Sequence, residues 1–122
     1  MKRISTYFAK QGEVEANWRV FDATGQILGR IARDISVALQ GKDKPSYTPN
    51  TATGDFVVVL NAARIRVTGR KLTQKTYYRH SGYVGNIKNF KLRDVLETHP
   101  ERVITLAVKG MLPRTHQGRQ ML

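Results

Sequence analysis

The sequence has 122 residues, of which 40% are apolar, and this suits a single globular domain with a core of its own. It contains no cysteine, which excludes disulfide frameworks, thiolate metal sites and cysteine nucleophiles and fits a reducing compartment. Its 21 Lys and Arg residues outnumber its 9 Asp and Glu residues, which gives a formal net charge of +12. Such an excess of positive charge predicts a polyanionic partner.

The N-terminal residues 1–16 show no clear period and predict an extended arm. They include no apolar run of the length found in signal peptides, and their two glutamates argue against an import presequence. No segment of the sequence is long and apolar enough to span a bilayer. We therefore expect a cytoplasmic protein that has no membrane partner.

The first half of the chain predicts a strand, a helix and a second strand. Residues 18–23 (WRVFDA) predict a short strand, and the apolar residues at helical spacing over 27–39 predict a helix that Gly41 closes. Residues 41–55 are rich in Pro, Gly, Thr and Asn and predict a loop. The run FVVVL at 56–60 is typical of a strand that is buried on both faces of an α/β sheet.

The alternating residues 64–69 (RIRVTG) predict a further strand. Only three residues separate it from the strand before it, which is too few for a parallel crossover. Either these two strands do not pair as parallel neighbours, or the sheet is locally mixed. Residues 75–83 then predict an extended ribbon that ends in a glycine turn.

Helices are predicted for most of the remaining chain. Residues 91–97 predict a short helix, and the capping-box pattern of Thr98 with Glu101 predicts the start of the next one. That helix ends at Pro113, and another helix follows. Because no internal repeat, linker or low-complexity stretch occurs, we expect a single domain over residues 1–122.

The positive charge is concentrated in the second half of the chain. Residues 1–61 carry 8 basic and 6 acidic side chains, whereas residues 62–122 carry 13 basic and 3 acidic ones. No acidic residue occurs between Phe56 and Arg93, a stretch with nine Lys and Arg residues. Repulsion among these charges predicts that this part of the protein meets a negatively charged surface.

Signals for an enzyme, a cofactor or a metal are weak. The first strand-to-helix turn lacks the G-x-G-x-x-G pattern, because Gly25 and Gly29 have the wrong spacing, and no Walker loop occurs. The three histidines, His80, His99 and His116, lie far apart and have no carboxylate cluster to complete a metal site. We therefore predict neither catalysis nor a bound cofactor or metal.

Tyrosines and cations interleave in the second half of the chain, for example Tyr77, Tyr78 and Arg79. This pattern places stacking surfaces beside phosphate donors, as single-stranded or looped RNA requires. Because neighbouring residues of a strand face opposite sides, one of Tyr77 and Tyr78 is expected to face the core. Residues 82–85 match the GXXG loop of KH domains, but that loop joins two helices. We interpret these glycines as turn formers that let backbone amides approach phosphate.

Five stretches of the chain resemble the ribosomal protein L13 (uL13) family of bacterial or organellar type. In family order they are WRVFDATGQILGRIA, GKDKPSYTPNTATGDFVVVLNA, VTGRK, YYRHSGYVGNIK and PERVITLAVKGMLPRTHQGRQM. The resemblance implies a three-layer α/β/α domain with a mostly parallel sheet, a large-subunit rRNA ligand, and a role in early subunit assembly rather than catalysis. Members of the family continue past the equivalent of Leu122, so the resemblance also implies that a C-terminal strand is missing and leaves a sheet edge exposed.

We predict that the chain binds 23S-type rRNA beside other large-subunit proteins, in a cytoplasmic or an organellar ribosome. The predicted RNA-binding residues are Lys42, Lys44, Tyr47, Arg70, Lys71, Lys75, Tyr77, Tyr78, Arg79, His80, Gly82, Tyr83, Gly85, Lys88, Lys109, Arg114, His116 and Arg119. Two alternatives remain at this point. One is a regulator that binds an mRNA leader through the same surface, and the other is a nucleotide-dependent enzyme, against which the missing glycine pattern counts.

Overall fold

The computed structural model describes residues 5–122. Its elements are β1 (Trp18–Asp22), α1 (Leu28–Gln40), β2 (Phe56–Leu60), a 3-10 turn (Ala62–Arg64), α2 (Lys71–Gln74), β3 (Thr76–His80), β4 (Ile87–Lys91), α3 (Leu92–Thr98), α4 (Pro100–Met111) and α5 (His116–Met121). In the predicted N-terminal arm, residues 1–4 lie outside the described residues, and residues 5–16 form no helix or strand. Over residues 5–122, none of the helices has the length and apolar character needed to cross a membrane.

The central sheet is a parallel pair of strands. β1 and β2 run in register from the pair Trp18 and Phe56 to the pair Asp22 and Leu60. A single parallel bridge between Ile27 and Arg66 continues this arrangement. The predicted α/β class, the two strands and the parallel pairing are therefore confirmed.

The strand predicted over residues 64–69 is wrong. Asn61 adopts a left-handed conformation with φ of 57°, and the 3-10 turn that follows extends to Arg64. Only Arg66 then joins the sheet: its N–H donates to the Gln26 carbonyl at 2.8 Å, and its carbonyl accepts from the Leu28 N–H at 3.0 Å. Arg64 belongs to the 3-10 turn, so it cannot also begin a strand over residues 64–69.

Burial of β2 also differs from the prediction, because only one of its faces is buried. Phe21, Val57 and Val59 pack against the core on one face of the parallel pair. On the other face Trp18 is 71% exposed and stacks on Phe56, with their ring centroids 4.8 Å apart. In the part of the chain that is described, helices cover one face of these strands, so the β-branched run is half-buried.

The core lies between the parallel strands and the helices α1, α3 and α4. Its buried residues are Ala23, Leu28, Ile31, Ala32, Ile35, Ile65, Leu92, Val103, Ile104, Val108 and Leu112. Helix α1 ends as predicted at Gly41, which has φ of 73° and donates its N–H to the Ala38 carbonyl at 3.2 Å. Glycine adopts this conformation without the strain that a Cβ would cause.

The predicted capping box of Thr98 and Glu101 is wrong. Helix α3 continues through Thr98, whose hydroxyl donates to the Asp94 carbonyl at 2.8 Å. The residue that precedes α4 is His99, and Pro100 occupies the first position of that helix. Two helices thus meet at one residue, which leaves Thr98 inside the first of them.

Asp55 joins the segments at the start of the central sheet. Its side chain is 1% exposed, and its two carboxylate oxygens lie 2.5 Å from Lys44 Nζ and 2.7 Å from Arg19 Nε. The Asn17 N–H also donates to this carboxylate at 3.0 Å. Burial alone would raise the pKa of Asp55, but the Lys44 hydrogen bond, the Asn17 N–H and the two cations together lower it.

We expect Asp55→Asn to lower the free energy of unfolding by about 2–3 kcal/mol, somewhat less than for a fully buried ion pair, because Arg19 and Lys44 retain partial access to water. Since the pKa of Asp55 is lower in the folded chain, its ionised form stabilises the fold at neutral pH, and this is lost as the pH falls below about 4. Urea denaturation at pH 7 and at pH 3 should therefore show a smaller pH effect in the variant. An equal pH effect in both proteins would contradict this role.

We expect Gly54→Ala to destabilise the protein, because a Cβ at this position would overlap the carbonyl oxygen of Leu39 at the end of α1. The matched control is Gly29→Ala in the first turn of α1, where a Cβ meets nothing within 4 Å. That change should raise stability by about 0.5 kcal/mol, since alanine is the better helix former. Thermal denaturation of both variants measures the contrast, and two shifts of the same sign would contradict it.

Candidate nucleic-acid interface

A two-stranded hairpin carries eight of the eighteen predicted RNA-binding residues. Strands β3 and β4 pair antiparallel, with Thr76 opposite Lys91 and His80 opposite Ile87. The extended ribbon and its glycine turn are confirmed, whereas β4 was missed. The sequence IKNFK is exposed throughout and has no apolar stripe, but an extended run that ends in two turn glycines could have indicated a returning strand.

The base of the hairpin is fixed to the core, and the rest stands free of it. Tyr77 packs against the core cluster, and burial raises the pKa of its hydroxyl. From Tyr78 to Lys91 every residue is exposed. Tyr78 is 73% exposed and Tyr83, in the turn, is 77% exposed. Tyr77 is therefore the structural member of the adjacent pair, and Tyr78 is the one that a base can reach.

The turn of the hairpin is held by local hydrogen bonding. Gly82 and Gly85 have positive φ values of 93° and 77°, and the Gly82 N–H donates to His80 Nδ1 at 2.8 Å. Because Nδ1 accepts this bond, the ring proton lies on Nε2, which can donate to a partner. The loop over 82–85 connects two strands, which confirms its interpretation as a turn rather than a KH loop.

Three more predicted residues lie where α2 leads into the hairpin: Arg70, Lys71 and Lys75, all exposed. The Lys75 ammonium lies 5.4 Å from the centre of the Tyr77 ring, and the Lys75 carbonyl accepts from the Leu92 N–H at 2.9 Å. Lys71 and Lys75 also line a groove of about 480 Å³ whose floor includes Leu106 and Gly110 of α4. The cations of α2 thus adjoin α4.

A second groove, of about 750 Å³, lies between α4 and α5 and shares Leu106 and Gly110 with the first. Lys109, Arg114 and Arg119 line it, around a wall formed by Pro113 and neighbouring apolar residues. Two adjoining grooves therefore connect the cations of α2 with those of α4 and α5. The last predicted residue of this region, His116, is exposed at the first position of α5.

The loop over residues 41–55 holds the other predicted residues. Lys42 is exposed, and Tyr47 lines a cavity of about 250 Å³ together with Pro113 and Thr115, which places it near the α4–α5 groove. Lys44 differs from these two, because its ammonium lies 2.5 Å from Asp55 and donates to the Glu15 carbonyl at 3.1 Å. The structure therefore uses Lys44 to hold the fold together.

The cations of the hairpin and its surroundings have no acidic partner among the residues that the structure describes. Over residues 5–122, the carboxylates pair with Arg19, Arg33, Lys44, Arg93 and His99, and none lies within 4.0 Å of a cation between Arg64 and Lys91. In the same described range, no three His, Cys, Asp or Glu side chains lie close enough together to hold a metal ion. The exposed positive surface is thus open to an anionic partner.

The model of the family described as "Ribosomal protein L13" matches residues 16–122 of this sequence. The chain belongs to this family. The matched residues include every predicted RNA-binding residue. The family predicted from the sequence is thus confirmed, and so is the prediction that the chain is not an enzyme, because the family is one of ribosomal structural proteins.

Curated relatives from distant bacteria carry the same name, "Large ribosomal subunit protein uL13". The protein of Acidithiobacillus ferrooxidans is 52% identical over 118 residues, which cover 97% of this chain and 83% of the relative. The protein of Thermotoga maritima is 54% identical over 117 residues, covering 96% of this chain and 78% of the relative. The protein of Chloroflexus aggregans is 51% identical over 119 residues, covering 98% and 83%.

Of the two adjacent tyrosines, we expect only Tyr77 to contribute to the stability of the fold. We expect Tyr77→Ala to lower the free energy of unfolding by about 2–4 kcal/mol, since its ring packs partly against the core. Tyr78→Ala should leave stability within about 0.5 kcal/mol, because the side chain is exposed. Denaturant titration of the two variants makes the comparison, and a larger loss from Tyr78→Ala would contradict the assigned faces.

Proposed function

We propose that this protein is a structural constituent of the large ribosomal subunit and binds large-subunit rRNA through the basic second half of its chain. The observation that carries the proposal is the stretch between Phe56 and Arg93, which holds exposed cations and tyrosines and not one acidic residue. Its relatives are named as proteins of the large ribosomal subunit, which supports the same conclusion.

The hairpin and the two grooves would share the contacts. The cations proposed to contact phosphate and sugar are Arg70, Lys71, Lys75, Arg79, Lys88, Lys109, Arg114 and Arg119, with His80 and His116 as further donors. Tyr78 and Tyr83 are the proposed stacking residues, and Gly82 and Gly85 let the backbone approach the RNA. Lys42 and Tyr47 would add a second patch. Lys44 is left out, because a phosphate would have to compete with Asp55.

We further propose that residues 1–122 act as one domain that docks early in subunit assembly, beside neighbouring ribosomal proteins. The base of the hairpin is anchored to the core through Tyr77 before RNA is present. Such preorganisation lowers the entropy lost on binding, which favours docking on RNA that is still folding. No feature of the described surface favours an mRNA leader over rRNA, so an mRNA partner is not part of the proposal.

A salt titration of binding to a panel of large-subunit rRNA fragments, with bulk tRNA and mononucleotides as competitors, tests this function. If about six phosphates are neutralised, the logarithm of the binding constant should fall against the logarithm of salt concentration with a slope of roughly −5. Tyr78→Ala should weaken binding by about 1–3 kcal/mol without changing the slope. Arg33→Gln is a suitable control, because Arg33 lies on α1 and pairs with Asp34.

Tight binding to one fragment that tRNA does not displace is the expected result. Equal affinity for every RNA would contradict a specific ribosomal site and leave only a general affinity for polyanions. Displacement by a mononucleotide would favour the nucleotide-dependent enzyme instead.

A further inference from the structure

Two cations face each other across the hairpin. Arg79 of β3 lies directly opposite Lys88 of β4. Directly opposite residues of an antiparallel pair project on the same face, with Cβ atoms about 4.5–5.5 Å apart. Like charges in this position repel each other, and both side chains are exposed. The free protein therefore carries a local electrostatic strain at this step of the hairpin.

Nothing in the described part of the chain relieves this repulsion. No carboxylate of residues 5–122 lies within 4.0 Å of either cation, and no acid occurs in sequence from Phe56 to Arg93. The neighbouring pair on the same face is Tyr77 with Phe90, which brings no charge. Apart from dissolved salt, only a partner can supply the counter-charge, and an anion placed between these two side chains would contact both.

The opposite face of the hairpin has different chemistry. Tyr78 lies opposite Asn89, and His80 lies opposite Ile87. These four side chains are exposed and offer an aromatic ring, an amide and an imidazole donor. The next pair on this face is Thr76 with Lys91, whose cation lies at the base of the hairpin. One face is therefore suited to a phosphate and the other to an unpaired base, which can stack and form hydrogen bonds at its edge.

We propose that Arg79 and Lys88 together hold one RNA phosphate, while Tyr78 and Asn89 contact an unpaired nucleotide on the other side of the hairpin. The inference rests on the proposed function and specifies the RNA that this site binds. A hairpin that contacts RNA on both faces must enter between two RNA segments. The major groove of a regular A-form helix is too narrow for side chains to read. The ligand is thus a junction, or a helix widened by a bulge, rather than an uninterrupted duplex.

The shared phosphate makes a specific prediction for salt dependence. Arg79→Gln and Lys88→Gln should each weaken RNA binding several-fold but change the salt slope little, because the remaining cation still neutralises the phosphate. The double variant should lower the magnitude of the slope by about 0.7–0.9 in total. If each cation has its own phosphate, each single variant should lower the magnitude of the slope by about 0.7–0.9, and the double variant should lower it by twice as much. That result would overturn the proposal. An unchanged slope in the double variant would also overturn it.

The matched control is the double variant Lys75→Gln with Arg119→Gln, two cations from separate elements. These should act on separate phosphates, so their effects on the slope should add.

The measurement compares slopes and does not need a specific rRNA site, so it can be made on bulk tRNA as well. Failure of the proposed function would appear as a lack of preference for rRNA in the wild-type protein. Failure of the shared phosphate would appear as additive slopes for Arg79 and Lys88 on any RNA.

The free protein gives a second, independent readout. Because removing one cation relieves the repulsion, Lys88→Gln should raise the midpoint of thermal unfolding by about 2 °C at low salt and by less at high salt. The same variant should bind RNA more weakly. A fall in the unfolding midpoint would overturn the claim of strain in the free hairpin.

A bulged or branched RNA should bind more tightly than the same sequence made fully paired, and equal binding would overturn the RNA class proposed here.

Discussion

The contacts of one carboxylate with two separate segments hold the first half of this protein together. Asp55 binds the Asn17 backbone before β1, Arg19 within β1 and Lys44 in the loop that precedes β2. These contacts place the first residues of the two parallel strands side by side. The register that starts there runs to Asp22 and Leu60, and α1 packs across the face that this register creates. The position of the core therefore depends on a charged group at its edge.

The distribution of charge follows from this arrangement. The four aspartates of the first half, Asp22, Asp34, Asp43 and Asp55, have partners among the described residues. The pKa of Asp22 is lowered to about 2 by the Asn61 side chain and by the N–H and hydroxyl of Thr24. The Asn61 contact also ties the end of β1 to the residue that follows β2. The cations between Arg64 and Lys91 have no such partners among the described residues, and two carboxylates that follow them pair with Arg93 and His99. Asp22 and Asp55 thus connect segments of the fold, whereas the unpaired cations between Arg64 and Lys91 remain open to a partner.

Sequence reasoning succeeded where one periodic pattern dominates a segment. Strand β1, helix α1 with its Gly41 cap, strand β2 and the glycine turn of the hairpin all have such patterns, and each was predicted. It failed where two local preferences compete. Residues 64–69 alternate like a strand, but the left-handed Asn61 and its 3-10 turn leave only Arg66 in the sheet. The pairing of Lys44 with Asp55, eleven residues away, also has no local signal, because both residue types are common in loops.

The separation of Tyr77 from Tyr78 explains how a small domain can be both stable and ready to bind. Since successive side chains of a strand point to opposite faces, a single strand can direct one aromatic ring into the core and the next one toward solvent. Burial of Tyr77 fixes the start of β3, and that position in turn fixes the direction in which Tyr78 and its cross-strand neighbour Asn89 project. Tyr78, a proposed stacking residue, thus acquires a defined orientation although its side chain is exposed. The same reasoning applies one step further along the hairpin, where strand pairing, rather than attraction, holds Arg79 and Lys88 together. The free energy that keeps these two like charges close comes from the backbone ladder and from the anchor at Tyr77, so the core helps to arrange the site that we propose for a phosphate.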